Sequence, residues 1–142
     1  FSLGSEDYVN LSTLTFVAYC FAPIAGFSAF GSYTGNFSAD GPFIYTGFRP
    51  ALILTKNVTT GGAGYDWVMQ DTAQAPYNMV ETALMPNLSD ASNTAYDFDI
   101  LSNGFKVRGN QSAVNKSGNT SIYAAFAERP FGGVGVAPAT VR

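Results

Sequence analysis

The 142-residue chain contains no histidine and one cysteine. Without histidine there is no imidazole general base, no imidazole metal ligand and no Ser-His-Asp constellation. One cysteine rules out an internal disulfide and a zinc site built from several thiolates. Cys20 lies in an apolar run with no cation beside it to activate a thiolate, and is expected to be a small core residue. Charge is scarce as well: charged residues are 12 % of the chain and the net charge is −3. A phosphate backbone needs clustered Lys and Arg. The seven basic residues are scattered, with only Lys106 and Arg108 close together, so no nucleic acid partner is expected. No apolar run approaches the ~18 residues of a membrane span. There is no basic-then-apolar leader and no initiator methionine, so the chain reads as a processed or excerpted polypeptide. The glycine-rich stretch 61–64 lacks the Gly-Lys-Ser/Thr ending of a phosphate loop, and no cofactor is expected.

What the chain has in quantity is aromatic side chains, at 15 %, with fifteen glycines and seven prolines to punctuate it. That mixture suits short strands joined by tight turns. Residues 13–22 form a nearly continuous apolar run, expected to be a strand covered on both faces or lying at a subunit contact. Residues 43–46 and 51–56 follow as strands, the latter the strongest β-run present. A loop over 57–64 reads as a long hairpin connection to 65–71, where Tyr65, Trp67 and Met69 share a face. Residues 79–85 fit either a short helix or a short strand. Residues 96–102 alternate, and Asn103-Gly104 predicts a type I′ turn into 105–108. Residues 109–119 read as a polar loop, and 120–127 as a long apolar strand. The tail after Pro130 is apolar and is expected to pack on something. Eight or nine strands at intervals of roughly 8–12 residues predict an all-β fold, an antiparallel β-sandwich or jelly roll, in one domain over 1–142.

Two stretches echo each other. Residues 1–22 repeat the pattern of 105–127: Gly4 falls on Gly109, Val9 on Val114, Asn10 on Asn115 and Phe21 on Phe126. Each reads as a short strand, a polar turn and a long apolar strand. A sandwich completed by one copy leaves the other over, and an unpaired apolar strand does not stay exposed. Residues 1–22 or the tail 128–142 are therefore expected to contact another copy of the protein or an adjoining domain, with Phe16, Tyr19, Phe21 and Phe131 as candidate assembly contacts.

Few residues suggest chemistry. Asp97 and Asp99 share a strand face and could serve a glycosidase or a calcium ion, but a solvated strand face accounts for them, and no enzymatic activity is expected. Trp67, with Tyr65, is a candidate platform for stacking a sugar, although one shared face more often means core. Seven of the ten asparagines begin Asn-x-Ser/Thr triplets: Asn10, Asn36, Asn57, Asn87, Asn110, Asn115 and Asn119. Chance gives roughly two. These are candidate glycosylation sites; the competing reading is turn chemistry, which Asn, Ser and Thr also favour.

The runs Thr15–Ala22, Gly26–Asn36, Asp40-Gly41-Pro42-Phe43, Thr46–Ala51 and Leu101–Lys106 resemble a repeated domain of unknown function in structural proteins of tailed phages, common in marine and environmental phages. The resemblance covers nearly the whole chain. It implies a lectin-like sandwich, of concanavalin or laminin-G type, on the virion surface as a tail fibre, other appendage or capsid decoration. Other virion proteins or further copies of the chain would be its partners, and a host surface glycan a possible ligand. It supplies no catalytic residues.

Overall fold

The computed structural model describes residues 1–130. Among them are seven strands in two antiparallel sheets and two single helical turns, so the chain is nearly all-β, consistent with a β-sandwich. The strands are β1 (Ser28–Thr34), β2 (Phe43–Tyr45), β3 (Pro50–Asn57), β4 (Val68–Asp71), β5 (Phe98–Leu101), β6 (Gly104–Val107) and β7 (Thr120–Ala127). The turns are α1 (Asp7–Asn10) and α2 (Ser112–Asn115). One sheet has the order β1-β7-β3-β4, the other β2-β6-β5. No helix among the described residues is long and apolar enough to cross a membrane.

Alternation sets the core. In the four-stranded sheet one face carries the row Ala29, Ala125, Ile53 and Gln70, and beside it Gly31, Tyr123, Thr55 and Val68. Successive side chains in a strand point to opposite faces, so this whole set turns inward together. It meets Ile44, Phe98, Ile100, Phe105 and Val107 of the three-stranded sheet in one cluster. Phe105 sits at the centre, edge-on to Tyr33, Phe98 and Tyr123 at ring distances of 6.4, 5.7 and 5.5 Å. Such edge contacts add about 0.5–1.5 kcal/mol each to the area buried.

Several expectations are corrected. Residues 13–22 form no strand, because nothing among the described residues pairs with them. Cys20 lies in that stretch and is exposed, not a core residue. The strand expected over 65–71 starts at Val68. Residues 79–85 are neither helix nor named strand; Val80, Ala83 and Leu84 make isolated bridges to Phe98, Asn93 and Met69. The β5–β6 hairpin closes at Leu101–Gly104, so Ser102 and Asn103 are its central residues. Neither has positive φ, which a type I′ turn requires at both positions. Gly104 is needed for another reason: a Cβ there would run into the Ile44 carbonyl oxygen of β2. The polar loop at 109–119 contains α2, whose Ala113, Val114 and Asn115 are all buried. The expected packing of the tail concerns residues 128–142, of which 131–142, Phe131 included, lie outside the described residues.

Candidate assembly surface

The opposite face of the four-stranded sheet is also apolar. Phe30, Ala124, Leu54 and Met69 form a row across all four strands, flanked by Ile122 and by Phe126 beside Leu52. None of these seven is buried. A sheet that is apolar on both faces is normally covered on both. Among the described residues its cover comes from the arm, residues 1–22, and from Phe27. Phe21 stacks on Phe30 at 5.7 Å and meets Phe126 edge-on at 5.9 Å. Phe27 meets Phe126 from the same end at 6.2 Å. The arm is tied down where it joins the sheet, by Ser28 Oγ donating to Ala22 O at 3.1 Å. Between arm and sheet lies a cleft of about 600 Å³, walled by Tyr19, Phe21, Phe30, Leu54, Trp67 and Ile122, among others.

Away from Phe21 most of the arm is open to solvent. Phe1, Leu3, Tyr8, Leu14, Phe16, Val17 and Tyr19 are all exposed, Tyr8 at 93 % and Tyr19 at 82 %. Of the candidate assembly contacts, the structure thus brings Tyr19 and Phe21 to one cleft and leaves Phe16 exposed and outside its lining. Trp67 lines that cleft and is half-buried, not core. Tyr65 is elsewhere: Lys116 Nζ lies 5.2 Å from its ring centre and donates to its hydroxyl at 3.0 Å. The two proposed sugar platforms are not brought together.

The seven triplet asparagines divide by burial. Asn57, Asn115 and Asn119 are buried and bonded. Asn57 Oδ1 accepts from the backbone N–H groups of Thr59 and Thr60, and Asn119 Nδ2 donates to Thr60 Oγ1 at 2.7 Å. Asn115 is the most connected. Its Nδ2 donates to Gly109 O and Ser38 O, at 2.8 and 2.9 Å, and its Oδ1 accepts from Asn36 N at 2.9 Å. A glycan on any of these three would displace a buried hydrogen bond. Asn10, Asn36, Asn87 and Asn110 are exposed. Among them Asn36 Oδ1 accepts from Ser38 N, and Asn87 Oδ1 from Trp67 N. For Asn36 and Asn57 the signal was present in sequence as Asn-x-Ser/Thr spacing, since their side chains accept from backbone N–H groups two or three residues on; the partners of Asn87, Asn115 and Asn119 are distant in sequence.

Charged side chains gather on the other sheet. Lys106 donates to Asp40, and that bond with the ammonium's charge holds the Asp40 carboxyl below its usual range. Arg108 Nε lies 3.4 Å from Asp99 Oδ2, while Asp97 uses its backbone carbonyl to accept from Arg108 N and Gly109 N. Asp99 is therefore occupied by an arginine. No cluster of three or more metal-ligating side chains occurs among the described residues.

Comparison with curated proteins gives no match, and comparison with solved structures gives none. A family match is found, and it takes in the arm as well as the sandwich. Over residues 1–130 the chain belongs to the family described as Domain of unknown function (DUF7483).

Proposed function

We propose that this domain is a structural building block that works by joining others of its kind, on the surface of a phage virion as part of a tail fibre, another appendage or a capsid decoration. The observation that carries the self-association is the half-covered apolar face of the four-stranded sheet with an apolar arm beside it. Contiguous exposed apolar surface of this kind marks an interaction site. Each large side chain buried there contributes about 1.5–3 kcal/mol, so a handful suffices for a stable contact after the cost of association. The location on a virion rests on the resemblance of the sequence runs to phage structural domains.

Sedimentation equilibrium of the whole chain tests the proposal. The chain is expected to associate with rising concentration. Leu54→Asp, in the middle of the open row, and deletion of residues 1–22 should each weaken association at least about tenfold, or roughly 1.4 kcal/mol. A parent chain that stays monomeric throughout, or variants that associate as well as the parent, would overturn it.

A second reading, a lectin-like module for host surface glycan, has one structural support: Trp67 lines the cleft with Tyr19. Sugar sites need several converging polar groups, and this cleft is walled almost wholly by apolar side chains. A glycan array probed with parent and Trp67→Ala decides. Binding lost in the variant supports the lectin; no binding by either removes it.

A further inference from the structure

The arm does not merely resemble residues 105–127 in sequence; it folds the same local motif. In α2, Val114 N and Asn115 N both donate to Gln111 O, at 3.1 and 2.8 Å, and Asn119 N donates to Lys116 O at 3.1 Å. In α1, Val9 N and Asn10 N both donate to Glu6 O, at 3.1 and 3.0 Å, and Leu14 N donates to Leu11 O at 3.1 Å. Asn115 Nδ2 reaches back to Gly109 O at 2.8 Å, and Asn10 Nδ2 reaches back to Gly4 O at 2.7 Å. Glu6 and Gln111, which lead into the turns, have φ/ψ of −70°/131° and −71°/129°. The correspondence holds position by position without a gap.

The surroundings differ completely. The second motif is locked into a socket. Tyr33 Oη donates to Val114 O at 2.8 Å, Phe37 N to Asn115 O at 2.8 Å, and Asn36 and Ser38 meet the Asn115 amide. The strand after it, β7, lies between β1 and β3. The first motif has the same key and no socket: α1 has no buried residue, and the Asn10 side chain makes only its bond to Gly4 among the described residues. A half-made lock of this kind leaves paired donors, acceptors and Phe, Tyr and Val side chains in water, which folded chains avoid.

We infer that residues 1–22 are the closing segment of a second unit of this fold, seated there as the end of β6, α2 and β7 seat here, with the long strand between that unit's counterparts of β1 and β3. The receiving unit is a sister and not an identical copy, for two reasons. The described unit already holds its own β7. The arm also carries different bulk on the inward positions: Phe16 stands where Ser121 faces Tyr33, Ala18 where Tyr123 packs over Gly31, and Tyr8 where Ala113 is buried. A receiver would therefore have a smaller residue at the place of Tyr33 and a larger one at the place of Gly31, since cores keep volume while exchanging shape. The outward positions match without change, Phe21 for Phe126 and Val17 for Ile122. Segment sharing of this kind would link one unit of the fold to a sister unit, while association of identical copies rests on the open face of the four-stranded sheet.

The test is a protease-resistance selection on the displayed full-length chain. Residues 106–127 are replaced by a second copy of residues 1–22. The facing positions Ala29, Gly31, Tyr33, Ile53, Thr55 and Asn57, and Tyr8 within the graft, are allowed to vary. Folded clones are expected, enriched in small residues at position 33 and larger ones at 31. In those clones Asn10→Ala within the graft should lower resistance about 100-fold, as loss of the buried amide raises the open population. Two results would overturn the inference: no resistant clone while the same library with the native segment yields many, or resistant clones indifferent to Asn10→Ala. The inference rests on the self-association reading for its purpose only. The selection is made on single displayed chains, so its failure leaves the sedimentation result standing, and a monomeric parent leaves the selection standing.

Discussion

Asn115 and Asn10 are the same residue in the same local turn, separated by their surroundings. Asn115 is buried and makes three side-chain hydrogen bonds. Removing the amide leaves Asn36 N, Ser38 O and Gly109 O to find new partners in a dry site, at about 1–3 kcal/mol for each left unmade. Asn115→Ala is expected to lower stability by about 3 kcal/mol or more in urea titration, whereas Asn10→Ala should change it by less than about 0.5 kcal/mol. Equal losses would mean the arm is packed in this chain after all. Tyr33 gives a pH signature. Burial pushes its phenol well above the ordinary tyrosine range, opposed in part by the Ser121 and Thr55 hydroxyls. The folded state thus holds this proton more tightly than the unfolded chain does. Its contribution is complete below pH about 10 and is lost as pH rises beyond that value. In an alkaline titration Tyr33 should ionise only together with loss of the circular dichroism signal; a fold that survives full tyrosine ionisation would contradict this. The roles of Tyr33 and Asn115 were not legible in the sequence, because each is set by partners about eighty residues away.

At the scale of elements, pattern and pairing have to be distinguished. Residues 51–56 read as the strongest β-run and lie within β3, an inner strand of the four-stranded sheet. Residues 120–127 read as a long apolar strand and are β7 without adjustment. Residues 13–22 have a nearly identical pattern and form no strand, since a strand exists only where a neighbour takes its N–H and C=O groups. Among the described residues the arm's ring contacts come from Phe21, so deleting residues 1–22 should cost the sandwich only about 1 kcal/mol and move Tm by a few degrees. A collapse of the transition on deletion, seen by calorimetry, would show the arm to be an integral layer. The helical turn α2 was missed because four residues carry too little periodicity to show, and its flanks are polar.

At the scale of the whole molecule, low charge and abundant aromatic surface decide how copies meet. The proposed contact is the apolar row of Phe30, Ala124, Leu54 and Met69, which carries no charge. Salt screens charge–charge contacts and leaves apolar burial intact or stronger. Self-association is therefore expected to hold or tighten between about 0.1 and 1 M NaCl, and to show a negative heat-capacity change by calorimetry. Association that weakens tenfold over that range would point to an electrostatic interface and away from the open sheet face.

The sequence by itself determined the all-β class, the placing of the main strands and the echo between the two ends, because alternation and turn residues are local properties. It also made nucleotide-loop, zinc and histidine chemistry untenable, since those need residues that are not there. Only the tertiary structure decided which copy of the echoed segment is paired, which asparagines are buried, and that the four-stranded sheet is apolar on both faces. The physical reason is that pairing and burial are relations between distant segments. A strand and its unpaired twin look alike until something is found lying beside one of them.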